Sequence, residues 1–127
     1  MEARVFNPET DTPFVLSSWL NTMVSISDFH RDIPPRISHP VLTNFIMTRI
    51  KSSKIDVLAD GEVIIGYCCY SLPDYLHMIY LKKAFRGEGL SKLLLRKFIG
   101  KEIICTSRPT RRLKDIIKAE IIFNPYC

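Results

Sequence analysis

A chain of 127 residues with 46% hydrophobic composition is long enough for one compact domain with its own core and too short for two. Charged residues make up 24%, with both signs scattered along the chain, which excludes a disordered polyelectrolyte, and no apolar run approaches the ~20 residues of a membrane span. The net charge of +5, from 18 basic against 13 acidic residues, suits an anionic ligand or partner without choosing among a nucleotide cofactor, an acidic substrate and nucleic acid.

The amino terminus opens with polar and charged residues instead of a basic stretch and an apolar run, so the expectation is a soluble, cytoplasmic protein without membrane contact. Residues 3–7 predict a short strand, closed by Pro8 and a turn over residues 9–13. Thr12 before Pro13 reads as a helix start, and apolar residues at 14, 15, 16, 19, 20, 23 and 24 carry that helix to about Val24, with Trp19 on the core side. Residues 25–40, broken by Pro34, Pro35 and Pro40, predict a connecting loop. A second helix is expected from Pro40 to Lys51 on the stripe Val41, Leu42, Phe45, Ile46, Met47 and Ile50.

Residues 54–60 and 63–72 flank Gly61-Glu62 as the two strands of a hairpin. Pro73-Asp74 makes a further turn, and residues 75–81 form a third strand that leads into a Gly-rich segment. Beyond it, Leu90, Leu93, Leu94, Leu95, Phe98 and Ile99 mark a helix that stops at Gly100. Residues 102–107 read as a strand, Pro109 opens a basic amphipathic helix over residues 110–119, and residues 121–127 supply the last strand.

Cysteines at 68, 69, 105 and 127 lack the spacing of a zinc or redox pair and are read as reduced. His30, His39 and His77 also lack a paired-ligand spacing, so no metal is expected. Cys68-Cys69 stands inside an apolar strand without an adjacent base, which favours core packing over a covalent acyl intermediate.

The chemistry-bearing segment is Arg86-Gly87-Glu88-Gly89-Leu90-Ser91, set between a strand and a helix and flanked by Lys92. Glycines let the backbone approach an anion, successive N–H groups point inward, and a helix amino end adds a favourable dipole, a combination that fits a pyrophosphate. The plain alternative is a strand-to-helix turn. No Walker lysine follows, and the three-glycine dinucleotide pattern is missing, which disfavours nucleotide hydrolysis and hydride transfer and leaves coenzyme A as the candidate.

The order strand, Arg-x-x-Gly-x-small, helix, filled by Arg86, Gly89 and Ser91, resembles the acyl-CoA motif of the GNAT N-acetyltransferase superfamily. Ser91 stands where the family usually has Gly or Ala. More narrowly, Ile65-Gly66-Tyr67, residues 76–86 and Asn124-Pro125-Tyr126 resemble small GNAT-like proteins encoded by bacteriophages, which would place the chain in a host cytoplasm. The resemblance implies a single α/β (α+β) domain over residues 1–127, with a mixed, mostly antiparallel sheet of about six strands and about four helices packed on it. It further implies acetyl-CoA, or another acyl-CoA, as cofactor: backbone N–H groups of Arg86, Gly87, Glu88, Gly89, Leu90 and Ser91 at the pyrophosphate, and the strand Ile79-Tyr80-Leu81 along the pantetheine arm. A backbone N–H near Leu81 would then stabilise the oxyanion that forms as an amine attacks.

The family often carries a Glu as base on this strand. Counting back from Arg86, Tyr75 occupies that place, with His77 two residues on. His77 has a side chain suited to acid–base work near neutrality, or serves as a hydrogen-bonded structural histidine. Tyr75 and Tyr80 are further candidates, with packing the alternative role. Thr106 and Ser107 end the strand beside the expected cofactor entry; capping of the following helix is the preferred reading.

Three functions follow from these residues. The first is direct acyl transfer from the small-molecule thioester to an amine by a monomer or homodimer. The second aims the same fold at DNA bases or base-attached amines, with Arg108, Arg111, Arg112 and Lys114 as the nucleic-acid contacts. The third is a non-catalytic binding module, motivated by the missing Glu.

Overall fold

A computed structural model describes residues 2–26 and 28–126; the expectations touching Met1, Ser27 and Cys127, including the reduced state of Cys127, lie outside these residues. Contacts divide the chain into two compact units, one formed by Met1–Phe6 with Lys54–Cys127 and the other by Asn7–Ser53.

The second unit is helical: α1 (Pro8–Ile26), α2 (Asp28–Asp32) and α3 (Pro35–Ser52). Helix α1 begins before the expected Thr12-Pro13 start, because Asn7 caps it. Asn7 Oδ1 accepts from the Glu9 N–H at 3.1 Å, and buried Asp11 returns a carboxylate oxygen to the Asn7 N–H at 2.8 Å. Pro8 then occupies the first helical position, where its missing N–H costs nothing. The same logic overturns the loop expected over residues 25–40. Pro34 carries the entry to α3, with its carbonyl accepting from the N–H groups of Ile37 and Ser38 at 2.9 and 3.1 Å, and Pro35 takes the first helical position. Val15 and Trp19 on α1 and Leu42, Ile46 and Ile50 on α3 are buried.

The first unit holds one six-stranded sheet in the order β1 (Glu2–Val5), β2 (Lys54–Asp60), β3 (Val63–Ser71), β4 (Tyr75–Leu81), β5 (Ile103–Cys105), β6 (Ile121–Phe123). The first four strands pair antiparallel, while β4–β5 and β5–β6 are parallel, so the sheet is mixed. Helix α4 (Leu90–Leu95) lies between β4 and β5, and α5 (Arg111–Ile117) forms the crossover to β6. With α2 added, the described residues form five α-helices rather than about four.

The elements after the Gly-rich segment are shorter than their apolar pattern suggests. Helix α4 stops at Leu95, and tight turns continue to Gly100, whose φ of 77° is the left-handed conformation expected of a cap. Leu94, Leu95 and Phe98 still reach the core, so burial there comes from the turns as well as from the helix. One sheet face buries Leu58, Ile65, Cys68, Ile103 and Cys105 with those three residues and with Leu113 and Ile117 of α5. Thr110, not Ser107, caps α5, its Oγ1 accepting from the Leu113 N–H at 3.2 Å. No helix among the described residues is long and apolar enough to cross a membrane.

Gly66 on β3 faces Leu81 on β4 across a close approach: a Cβ at residue 66 would lie 2.5 Å from the Tyr80 carbonyl oxygen and 2.9 Å from Leu81 Cδ1. Backbone must move to admit even a methyl group. Gly66→Ala is therefore expected to lower stability by roughly 1–3 kcal/mol or more, read as a drop in the urea midpoint at unchanged m-value.

Candidate functional site

The site begins with one extra residue in β4. Cys69 opposes Met78 and Tyr70 opposes Leu76, so the β3–β4 register skips His77, which forms a bulge. The bulge reverses which backbone groups face which neighbour. Before it, the carbonyls of Asp74 and Leu76 point to β5, accepting from Ile104 N at 2.8 Å and Thr106 N at 3.0 Å. After it, Lys82 N donates to Ile65 O at 2.8 Å, so by alternation Met78 and Tyr80 bond toward β3 and the backbone of Ile79 and Leu81 faces away from it. Strand β5 pairs with β4 only through Tyr75 and Leu76 and ends at Cys105. Beyond His77 the two strands part. The edge of β4 thus presents the Ile79 N–H and carbonyl and the Leu81 N–H, groups of the kind an extended amide chain can bond.

Past this edge the chain makes a 3-10 turn at Lys83–Phe85 and enters the Gly-rich segment. Gly87 and Gly89 adopt φ of 90° and 78°, and a Cβ on either would meet nothing within 4 Å. The glycines are required by conformation, and the space in front of them is open. Arg86, Gly87, Glu88, Gly89 and Lys92 are exposed, while Leu90 and Ser91 are half-buried. An anion meeting this turn finds backbone N–H groups with cationic side chains at both ends. Since α4 is only six residues long, the helix dipole adds little to what the turn's own N–H groups could offer an anion.

Arg86 does more than flank the turn. Its Nε donates to the Leu81 carbonyl at 2.8 Å, and its guanidinium lies 5.8 Å from the centre of the Tyr80 ring, so it staples the turn to the end of β4. On the far side, Lys97 Nζ donates to Tyr70 Oη at 2.6 Å and to Asp56 Oδ2 at 3.1 Å, and Tyr70 donates to Asp56 Oδ1 at 3.2 Å. The Tyr70 hydrogen bond, with Asp56 adding to it, holds the Lys97 ammonium above the usual lysine range. This cluster ties the segment after α4 to β2 and β3. It was invisible in sequence, where Asp56, Tyr70 and Lys97 stand far apart without a shared pattern.

His77 is buried, with both ring nitrogens engaged: Nε2 lies 2.8 Å from Ser71 Oγ and Nδ1 lies 2.8 Å from Thr106 Oγ1. Ser107 Oγ donates to the His77 carbonyl at 2.6 Å. Thr106 and Ser107 therefore serve the bulge instead of capping α5. Tyr75 and Tyr80 are half-buried, and the Tyr80 ring stacks on buried Tyr67 at 5.7 Å between centroids. Arg108, Arg111, Arg112 and Lys114 are exposed at the head of α5. Among the described residues no group of His, Cys, Asp or Glu is arranged to hold a metal ion.

Residues 23–103 match the family model described as Acetyltransferase (GNAT) family. The match covers more than half of the chain, and the chain belongs to the GNAT acetyltransferase family. No curated protein matches the sequence. The fold is similar to a protein of Pyrococcus furiosus named as an acetyl transferase, at 14% identity and a TM-score of 0.62 over 97% of this chain and 82% of that one. A predicted acetyltransferase of Clostridium acetobutylicum, solved with acetyl-CoA, is 15% identical with a TM-score of 0.55 over 97% of this chain and 79% of that one. Against a GCN5-related N-acetyltransferase from Rhodopseudomonas palustris, the match is 16% identical with a TM-score of 0.51. It takes in 75% of this chain and 61% of that one, so this chain spans less than two thirds of that relative's length.

Burial pushes the Cys105 thiol up to about 11 and the Cys68 thiol well above its ordinary value, with Cys69 and Asp56 adding to the latter. Neither is a thiolate near neutrality, which argues against a cysteine-bound acyl group. The neutral Cys105 thiol contributes stability that is complete below the ordinary value of 9.0 and is lost as pH rises through about 11. The folded protein is expected to leave Cys68 and Cys105 unlabelled by a maleimide at pH 7.5, with full labelling in denaturant; rapid labelling of either in the native state would overturn their assignment to the core.

Proposed function

We propose that the chain is an acyl-CoA-dependent N-acyltransferase, with residues 1–127 acting as one catalytic domain and acetyl-CoA, or a related thioester, as the acyl donor. The observation that carries this reading is the continuity of the β4 edge, beyond its pairing with β5, with the open glycine turn. The Ile79 backbone and the Leu81 N–H offer amide partners for pantetheine, and the turn offers the N–H groups of residues 87–91 with the cations Arg86 and Lys92 for the pyrophosphate. Bound there, acetyl-CoA supplies the activated acyl group.

The residues around the fork then do four things. The Ile79 and Leu81 backbone orients the thioester, and the Leu81 N–H aims a fixed dipole at the acyl oxygen, where charge develops. The incoming amine forms the new N–C bond, the C–S bond breaks, the amine loses a proton and the thiolate takes one. Tyr75 and Tyr80 are the side chains proposed to handle those protons. His77, closed between two hydroxyls, is not required to face the substrate.

Isothermal titration of the folded protein with acetyl-CoA tests the reading directly: saturable binding is expected, and its absence at high micromolar protein would end it. Gly89→Ala forces an L-residue into the left-handed region at a cost of roughly 1–2 kcal/mol, so it is expected to weaken acetyl-CoA binding about tenfold.

A second reading keeps the transfer and makes nucleic acid the acceptor, supported by the exposed cations Arg108, Arg111, Arg112 and Lys114 and by the resemblance to small phage-encoded relatives. Duplex DNA binding that weakens steeply with salt, and weakens further in Arg111→Ala/Arg112→Ala, is expected on this reading. Salt-insensitive binding, or none, rejects it.

A further inference from the structure

We infer that His77 is a positioning residue that sets the acyl-donor geometry by pinning the fork between β4 and β5; this rests on the acyltransferase reading above. The β3–β4 register skips the bulged residue, a strand carrying such an extra residue can slip by one position, and a one-residue slip exchanges the two faces of everything that follows. In β4 a slip would turn the Ile79 and Leu81 backbone back toward β3 and present Met78 and Tyr80 at the fork. Something must therefore fix the extra residue in place.

Three side chains from two strands converge on it. Ser71, at the end of β3, lies 2.8 Å from Nε2; Thr106, just past β5, lies 2.8 Å from Nδ1; and Ser107 donates to the His77 carbonyl at 2.6 Å. The imidazole thus bridges β3 to the end of β5 through the bulge, and the Ser107 bond occupies the last β4 carbonyl before the strands separate. Each hydroxyl matches a ring nitrogen in either neutral tautomer, since Ser and Thr both donate and accept. Imidazole is the side chain that reaches both hydroxyls from one Cα. With the bulge fixed, the two backbone positions that would hold pantetheine are fixed as well, although His77 itself touches no substrate.

This role separates the two halves of the ligand. The pyrophosphate turn at residues 86–91 is held by the Arg86 staple and the Lys97 cluster, neither of which involves His77. Loosening the fork should thus weaken the pantetheine half more than the turn, which it reaches only through the Arg86 bond to the Leu81 carbonyl. The experiment compares acetyl-CoA with 3′-phosphoadenosine 5′-diphosphate, which keeps the pyrophosphate and lacks pantetheine, by titration against wild type, Ser107→Ala, Thr106→Val and His77→Gln. Ser107 is half-buried, so its variant removes one hydroxyl without emptying the core. Loss of one such hydrogen bond is expected to weaken acetyl-CoA about tenfold in Thr106→Val and Ser107→Ala, with a clearly smaller loss for the fragment. His77→Gln, which keeps a polar group toward Ser71, should fall no further than Thr106→Val, whereas His77→Ala should fall beyond both.

Amide hydrogen exchange on the free protein supplies a readout that needs no ligand. Met78 and Tyr80, whose N–H groups bond toward β3, should exchange roughly tenfold faster in the Thr106 and Ser107 variants, with β2 unaffected. Equal loss of acetyl-CoA and fragment would overturn the inference, as would variants that lose neither, or exchange at Met78 and Tyr80 that does not change. A wild-type protein that binds neither ligand would instead sink the acyltransferase reading, and the exchange measurement would then decide the role of His77 at the fork by itself.

Discussion

A strand with one residue more than its neighbour must put that residue somewhere, and in β4 the choice decides what the rest of the sheet can do. His77 takes the extra position. From there the hydrogen-bonding groups of β4 change sides, β5 departs after two paired residues, and the Ile79 and Leu81 backbone turns away from β3 beyond the reach of that pairing. Ordinary antiparallel pairing would have consumed those groups. The direction in which this edge faces is thus a product of register.

The glycine turn depends on the same strand from the other end. Arg86 bonds back to the Leu81 carbonyl, while Lys97, Tyr70 and Asp56 tie the chain after α4 to β2 and β3. Charge-assisted bonds of this kind are stronger than neutral ones and are directional, which matters for a segment whose own helix is too short to be stable alone. Gly66 completes the arrangement by letting β3 lie against the Tyr80 and Leu81 backbone with no side chain between them. Strand edge, staple and turn are thereby fixed to one another within a single stretch of residues.

Much of this order was legible in the sequence, and what was missed has definite causes. The hairpin over residues 54–71 and the strand Tyr75–Leu81 follow from alternation and turn chemistry, both local, and the structure has them where they were expected. Gly87 and Gly89 were legible because positive φ demands glycine. Proline misled the reading twice: Pro8 and Pro35 look like breaks but occupy first helical positions, where proline is tolerated, and only the Asn7 cap with the Asp11 return bond makes the first case plain. The helix after the motif was read too long because Phe98 and Ile99 continue the apolar spacing, although Phe98 reaches the core from a turn. The bulge left no mark in the residues. Thr106 and Ser107 were visible as hydroxyls at a strand end, but a nearby helix start offered them a simpler role than a bond to a histidine thirty positions earlier.

The sheet's strands follow chain order, yet their connections differ sharply in what they can absorb. Between β1 and β2 the chain makes its whole helical excursion from Asn7 to Ser53, and loop-closure entropy grows so slowly that doubling such an excursion costs only about 0.6 kcal/mol. Between β3 and β4 there are only Leu72, Pro73 and Asp74, and a residue gained or lost there would shift the partner of every position up to Leu81. Variation in length is therefore cheap in the helical unit and forbidden beside the fork. Relatives of this chain can be expected to differ freely in size through the first connection while keeping the second one fixed, so that length varies where no strand register depends on it.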